Sequence, residues 1–210
     1  LALTEVLAHQ RRGAVVLDTR DPAVFAQGHV VGSYNVGLAG RYAEYAGDVL
    51  TAEQPIVLVC DDGTALEARN RLARIGFDKV VGCLADPVSA VLAHPQWVVG
   101  ASRLTVSELD LSIHQVERLQ MVDVRGPAEV ASSGKIACAR LVPLPRILDR
   151  LAELDPGAPT VVYCASGYRS MIAASVMRAS GFQDVSDLIG GFSAWEQSQL
   201  PVERPSDVSA

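Results

Sequence analysis

Basic side chains are the scarcer charge in this chain of 210 residues: 18 Lys and Arg stand against 24 Asp and Glu, a formal charge of −6. Nucleic acid or an anionic membrane surface needs a concentrated basic face, so neither is expected as a partner. Long apolar runs are also lacking. The longest clean stretches, such as Pro55-Ile-Val-Leu-Val-Cys60, have strand length, well short of the roughly 18 residues needed to span a bilayer. No basic segment followed by an apolar stretch and a small-residue cleavage site opens the chain, so nothing points to export and the cytoplasm is the expected location. Nor does it open with methionine, and Leu1 suggests an excised fragment or a piece of a longer polypeptide.

Cysteine is sparse. Cys60, Cys83, Cys138 and Cys164 are too few for a disulfide framework, and no two CxxC pairs mark a zinc site. The histidines His9, His29, His94 and His114 lie far apart, with neither HExxH nor a dense His/Asp cluster. No metal and no cofactor are expected. Cys83 and Cys138 have no neighbouring features of reactivity, which leaves Cys60 and Cys164.

What the chain does have is a 49% apolar composition, enough to bury a core in one large or two small domains, and an internal repeat. Val15-Val-Leu-Asp-Thr-Arg-Asp-Pro22 matches Gln120-Met-Val-Asp-Val-Arg-Gly-Pro127, an apolar strand ending in Asp-x-Arg before a Pro-started helix. Pro55-Ile-Val-Leu-Val-Cys60 matches Thr160-Val-Val-Tyr-Cys164, and Arg74-Ile-Gly-Phe-Asp78 matches Ala179-Ser-Gly-Phe-Gln183. Two copies about 105 residues apart indicate duplicated domains rather than a solenoid, whose repeats run roughly 20 to 50 residues. The boundary is expected between His94 and Ser102, with a polar, Pro-containing tail from Pro201.

Short β-branched runs alternating with helical stretches predict an α/β fold with a mainly parallel sheet in each copy. Strands are expected near 14–18, 33–35, 56–60 and 80–83, then near 120–124, 140–142, 160–164 and 185–188. Helices are expected near 144–154 and 169–180, with Gly76 and Gly181 as stop signals.

The segment Cys164-Ala-Ser-Gly-Tyr-Arg-Ser170 joins a buried-looking strand to a helix, the place where α/β sheets hold ligands. Unpaired N–H groups at the helix start would curl around the Cys164 sulfur and favour a thiolate. Gly167 suits a positive-φ turn. Arg169 brings a fixed charge and a planar fork able to hold an oxyanion group, and Ser166 and Ser170 offer hydrogen bonds to the sulfur or the anion. The Asp18/Arg20 and Asp123/Arg125 pairs are read as loop-fixing ion pairs, His29 as a packed histidine, and Arg146 and Arg150 as solvated charges.

Cys-x-x-Gly-x-Arg-Ser after a Val-rich strand resembles the active-site loop of the rhodanese family. Phe25-Ala-Gln-Gly-His-Val-Val-Gly-Ser-Tyr-Asn35 is similar to a second signature of that family, and Gly190-Gly-Phe-Ser-Ala-Trp195 to its closing helix motif. The resemblance covers nearly the whole chain. It implies two tandem rhodanese-like domains, each a mainly parallel sheet flanked by helices, at 1–98 and 103–203. It also implies double displacement: the Cys164 thiolate takes a sulfane sulfur from thiosulfate or a small persulfide and passes it to a thiol or cyanide. Ala165, Ser166, Gly167, Tyr168, Arg169 and Ser170 would bind the substrate. Tandem modules of this kind resemble those attached to metallo-β-lactamase-type persulfide dioxygenases, so such a domain, fused or associated, is an expected partner.

Cysteine phosphatases and arsenate reductases also use a loop with a closing arginine, but with five residues between the two. Cys164 and Arg169 enclose four, room for a sulfur rather than a phosphoryl group. In the first copy, Cys60-Asp-Asp-Gly-Thr-Ala-Leu66 has no such arginine, and two carboxylates beside the sulfur would oppose a thiolate. That copy is expected to be weakly active or inactive, serving as structural support or a binding platform.

Overall fold

The two Asp-x-Arg segments form strands because their apolar side chains are buried on both faces, as the centre of a parallel sheet demands. The computed structural model describes residues 1–204, which divide into two compact units, Leu1–Ala101 and the part from Ser102 onward. The last six residues of the expected tail lie outside the described residues.

The first unit runs α1 (Leu3–Arg11), β1 (Val15–Asp18), α2 (Pro22–Gln27), β2 (His29–Val30), β3 (Tyr34–Asn35), α3 (Tyr42–Val49), β4 (Ile56–Val59), α4 (Ala65–Ala73), β5 (Val80–Cys83), α5 (Pro87–Ala93) and β6 (Val98–Val99). Its parallel sheet has the order β3-β1-β4-β5, and β2 and β6 form a small antiparallel ribbon.

The second unit runs β7 (Ser102–Leu104), α6 (Val106–Gln115), β8 (Gln120–Asp123), α7 (Pro127–Ser133), β9 (Arg140–Leu141), α8 (Ile147–Arg150), β10 (Thr160–Tyr163), α9 (Tyr168–Ala179), β11 (Val185–Leu188) and α10 (Gly191–Gln197). Its sheet is also parallel, in the order β7-β11-β10-β8-β9. From β8 the chain winds to one side and from β10 to the other, so the order reverses between these two central strands. A crevice at such a reversal, beyond the carboxyl ends of the strands, is where open α/β sheets bind ligands.

The same devices recur in both units. Pro22 and Pro127 open α2 and α7, where their missing N–H groups cost nothing. Asp18 and Arg20 form a buried pair with Nε–Oδ1 at 2.9 Å, and Asp123 and Arg125 repeat it at 3.0 Å. Each arginine reaches on to a backbone carbonyl, Gly28 O at 3.0 Å and Gly134 O at 2.7 Å, tying the chain after the short helix to the strand end. These are the expected loop-fixing pairs. His29 is packed, its ring stacked on Phe25 with centroids 3.6 Å apart and Nδ1 2.9 Å from Phe25 O. Gly76 and Gly181, at φ of 90° and 95°, end α4 and α9 as expected, in a conformation that a Cβ would strain.

The segment 144–154 departs from the expected continuous helix. It holds only α8, flanked by 3-10 turns at Leu144–Arg146 and Leu151–Glu153. Pro145 has no N–H for a helical ladder, while burial of Leu144, Ile147 and Leu154 pins the turns individually. Arg146 is solvated, whereas Arg150 also donates to Leu141 O at 2.9 Å. No helix among the described residues is long and apolar enough to cross a membrane.

Candidate active site

Cys164 follows the last residue of β10 and is 1% exposed, at the strand-order reversal. Gly167, at φ +101°, caps α9 in the left-handed region and turns its N–H back to the sulfur, 3.2 Å from Cys164 Sγ. Ser170, fully buried in the first turn of α9, places Oγ 3.7 Å from the sulfur while donating to Gly167 O at 3.1 Å. Ala165 and Tyr168 are half-buried and the Ser166 side chain is exposed. Of the expected loop residues, Gly167 and Ser170 reach the sulfur, the first through its main-chain N–H and the second through its hydroxyl. Helix α9 is anchored by burial nearly all round, from Ser170 to Met177, so the loop ends on a fixed element.

The loop's shape comes from the far side. Phe192 N donates to Cys164 O at 2.7 Å and Ser193 N to Ala165 O at 3.0 Å. Those two carbonyls are thus engaged by the start of α10, while the Gly167 N–H faces the sulfur. Gly191, at φ +58°, makes the approach possible: a Cβ there would lie 2.8 Å from Ala165 O and closer still to Cys164 O. The Gly190-Gly191 pair is visible in the sequence as a motif, but its work on a loop some 25 residues earlier needs the fold to be seen. Phe192 also lies under the Arg125 guanidinium, 4.0 Å from ring centroid to Cζ, which links this anchor to the end of β8.

The Arg169 fork has a protein partner. Its guanidinium is not an uncompensated charge: Nη1 and Nη2 each lie 2.7 Å from a carboxylate oxygen of Glu129, a bidentate pair between α9 and α7. Glu129 also accepts from Gly126 N at 2.8 Å, capping α7. Sequence reasoning missed Glu129 because it stands forty residues from its partner; the one signal is that Val24 occupies the corresponding place in the first copy. The Arg169 hydrogen bonds, followed by the Gly126 N–H, hold the Glu129 carboxyl down at about 2, from an ordinary 4.5. A depressed carboxylate stabilises the fold above its unfolded value and loses that contribution as pH falls through the folded one. Glu129→Gln is therefore expected to melt below wild type by a constant margin from neutrality to about pH 4.5, with the gap closing toward pH 2. A melting series across that range reads it directly.

The equivalent end of β4 is built differently. Cys60 is buried, and its proton is held by a hydrogen bond to Cys83 and by desolvation, which together push its pKa far up. The sequence assigned this to Asp61 and Asp62. Both are exposed, and the neighbour that matters is Cys83, which was read as featureless. Cys83 ends β5, opposite Leu58 on β4, and strand order alone brings it to the end of the strand that Cys60 follows. Neither half of the Glu129–Arg169 pair has a counterpart, since Val24 and Ala65 hold those places. Cys138 is exposed, at a φ of 62°.

The rhodanese-like domain family matches residues 2–92 and again 105–198. A sulfurtransferase of Allochromatium vinosum is 35% identical over 97 residues, which are 46% of this chain and 90% of that protein. Thiosulfate sulfurtransferase GlpE of Pseudomonas putida is 35% identical over 96 residues, 46% of this chain and 86% of that protein. Among solved structures, the thiosulfate sulfurtransferase of Pseudomonas aeruginosa aligns with 97% of this chain at 21% identity and a TM-score of 0.45, the aligned part being 43% of that chain. Sulfur transfer is the activity in the names of the Allochromatium vinosum and Pseudomonas putida relatives.

Proposed function

This chain belongs to the rhodanese family, as two consecutive rhodanese-like domains, and from that premise we propose that its second unit is a sulfurtransferase whose nucleophile is Cys164. The Cys164 thiolate attacks the sulfane sulfur of thiosulfate or a small persulfide; the donor's S–S bond breaks and sulfite or a thiolate leaves. The enzyme persulfide then yields its outer sulfur to a thiol or to cyanide, and the thiolate is restored.

The observation that carries this reading is the 3.2 Å approach of the Gly167 N–H to a buried Sγ at the strand-order reversal. A main-chain donor fixed in that place stabilises thiolate and persulfide alike, without reorganising between the two half-reactions. Ala165, Ser166, Gly167, Tyr168, Arg169 and Ser170 line the approach. Arg169 orients the first turn of α9 through Glu129 and offers its fork to an anionic donor that competes with that carboxylate. Residues 103–203 form the catalytic domain in this reading. Residues 1–98 form a companion in which Cys60 is weak or inactive as a nucleophile, because its proton is held by Cys83.

Peptide mapping after brief exposure to thiosulfate, and separately to glutathione persulfide, tests the assignment. The Cys164 peptide is expected to gain one sulfur atom and to lose it on addition of cyanide. A Cys164 peptide that never gains sulfur from either donor, or a protein that instead hydrolyses p-nitrophenyl phosphate, sinks it.

A further inference from the structure

Glu129 stands in the first turn of α7, which follows β8, and Arg169 in the first turn of α9, which follows β10. Gly126, whose N–H the Glu129 carboxylate accepts at 2.8 Å, comes two residues after Val124, and Val124 N donates to Tyr163 O at 2.9 Å, one residue before Cys164. Arg169 itself lies in the chain between Gly167 and Ser170, the two residues that reach the sulfur. Carboxylate, guanidinium and sulfur are therefore carried at the same end of the same two central strands. The pair is open to a solute, the Arg169 side chain being 20% exposed and that of Glu129 40%.

Both Nη atoms of Arg169 lie 2.7 Å from a Glu129 oxygen, so an arriving anion meets a cation whose charge is already balanced. The cost of stripping water from an anion rises with the square of its charge, so a dianion has the most to recover here. To recover it, the dianion must displace a carboxylate that is bidentate on Arg169 and also bonded to Gly126 N. Protonation brings no relief: a carboxyl held down at about 2 stays ionised through the neutral range. We propose that Glu129 sets which donors Cys164 accepts, admitting sulfane-sulfur donors of a single negative charge, small organic persulfides among them, and disfavouring the thiosulfate dianion. The inference rests on the assignment of Cys164 as the nucleophile. Glu129 acts through Arg169 and makes no bond to the transferred sulfur, so it is a positioning residue whose charge confers selectivity.

Thiosulfate and methanethiosulfonate present the same transferable atom, a terminal sulfur on an oxidised one, as a dianion and a monoanion. With either, the Cys164 thiolate attacks the terminal sulfur and a new S–S bond forms. The bond from that sulfur to the oxidised one breaks, and its electron pair leaves on sulfite or on methanesulfinate. No proton moves, the total charge is conserved, and the persulfide anion remains on the enzyme. The two donors therefore differ at this site in the charge that Glu129 opposes.

The test follows the gain of one sulfur on Cys164 by mass spectrometry, with the full chain, subsaturating donor and no acceptor. Glu129→Gln is expected to raise the ratio of thiosulfate to methanethiosulfonate rate constants about tenfold, the effect of removing one charge near a dianion. Glu129→Asp keeps the charge and is expected to hold that ratio within about twofold of wild type, even where both rates fall. A Glu129 that only supported the fold would slow both donors alike in both variants. The wild-type chain gives an independent check should Glu129→Gln fold poorly: methanesulfonate is expected to protect Cys164 from iodoacetamide at lower concentration than sulfate. An unchanged ratio in Glu129→Gln, an equal shift in Glu129→Asp, or protection by sulfate at the lower concentration overturns the proposal while leaving Cys164 as nucleophile. A Cys164 that gains sulfur from neither donor overturns the nucleophile assignment, and this inference with it.

Discussion

Cys164→Ser is expected to lower sulfur transfer from thiosulfate to cyanide by roughly 10⁴-fold, while the melting temperature stays close to wild type. Serine fits the space of a buried cysteine and can still meet Gly167 N and Ser170 Oγ, so the fold has little reason to change. The chemistry does. A serine hydroxyl stays protonated at neutral pH, is a poor nucleophile toward sulfur, and forms no stable carrier of a sulfane sulfur. Thiocyanate formation under saturating donor measures the loss, and a decrease of less than about tenfold would move the nucleophile elsewhere. Cys60→Ser, by contrast, is expected to leave the thiosulfate rate unchanged.

The second large effect is expected at a residue that never meets the substrate. Gly191→Ala places a Cβ 2.8 Å from the Ala165 carbonyl oxygen and nearer still to that of Cys164, with φ at +58°. Neither obstacle is a flexible side chain, so the backbone must yield. Either α10 lifts, and the Phe192 and Ser193 N–H bonds to the loop lengthen, or the loop turns and carries the Gly167 N–H away from the sulfur. Strain plus the weakened bonds are expected to cost about 3 kcal/mol of stability. Displacing the loop by about 1 Å is expected to cost on the order of 10² in transfer rate. Denaturant unfolding and steady-state assay separate the two. Full activity in a merely destabilised variant would show that the loop holds its shape without α10.

The parts of this fold that were legible in the sequence are those with local causes. Val15 to Asp18 and Thr160 to Tyr163 read as strands because fully buried parallel strands are runs of apolar residues, and the repeat exposed two domains without any packing knowledge. The Cys164 loop was legible because its residues are contiguous. Illegible were features made by strand order or by helices meeting at a distance. Glu129 reaches Arg169 only after α7 and α9 are placed side by side, and Cys83 reaches Cys60 only because β5 lies next to β4. The segment around Pro145 misled for another reason: its apolar spacing is helical, but proline and three separate burial anchors divide it into short turns.

The hydrogen-bond partner nearest the Cys164 sulfur is a backbone group, the Gly167 N–H, with the buried Ser170 hydroxyl next, while Ala165 and Tyr168 are half-buried and Ser166 exposed. In the proposed reaction, the donor that steadies the sulfur and the side chains that would meet a substrate therefore stand at separate positions. On that reading, replacements at Ala165, Ser166 and Tyr168 would change which donor or acceptor docks while leaving the Gly167 N–H in place, so substrate preference would be free to drift while the reaction is inherited intact.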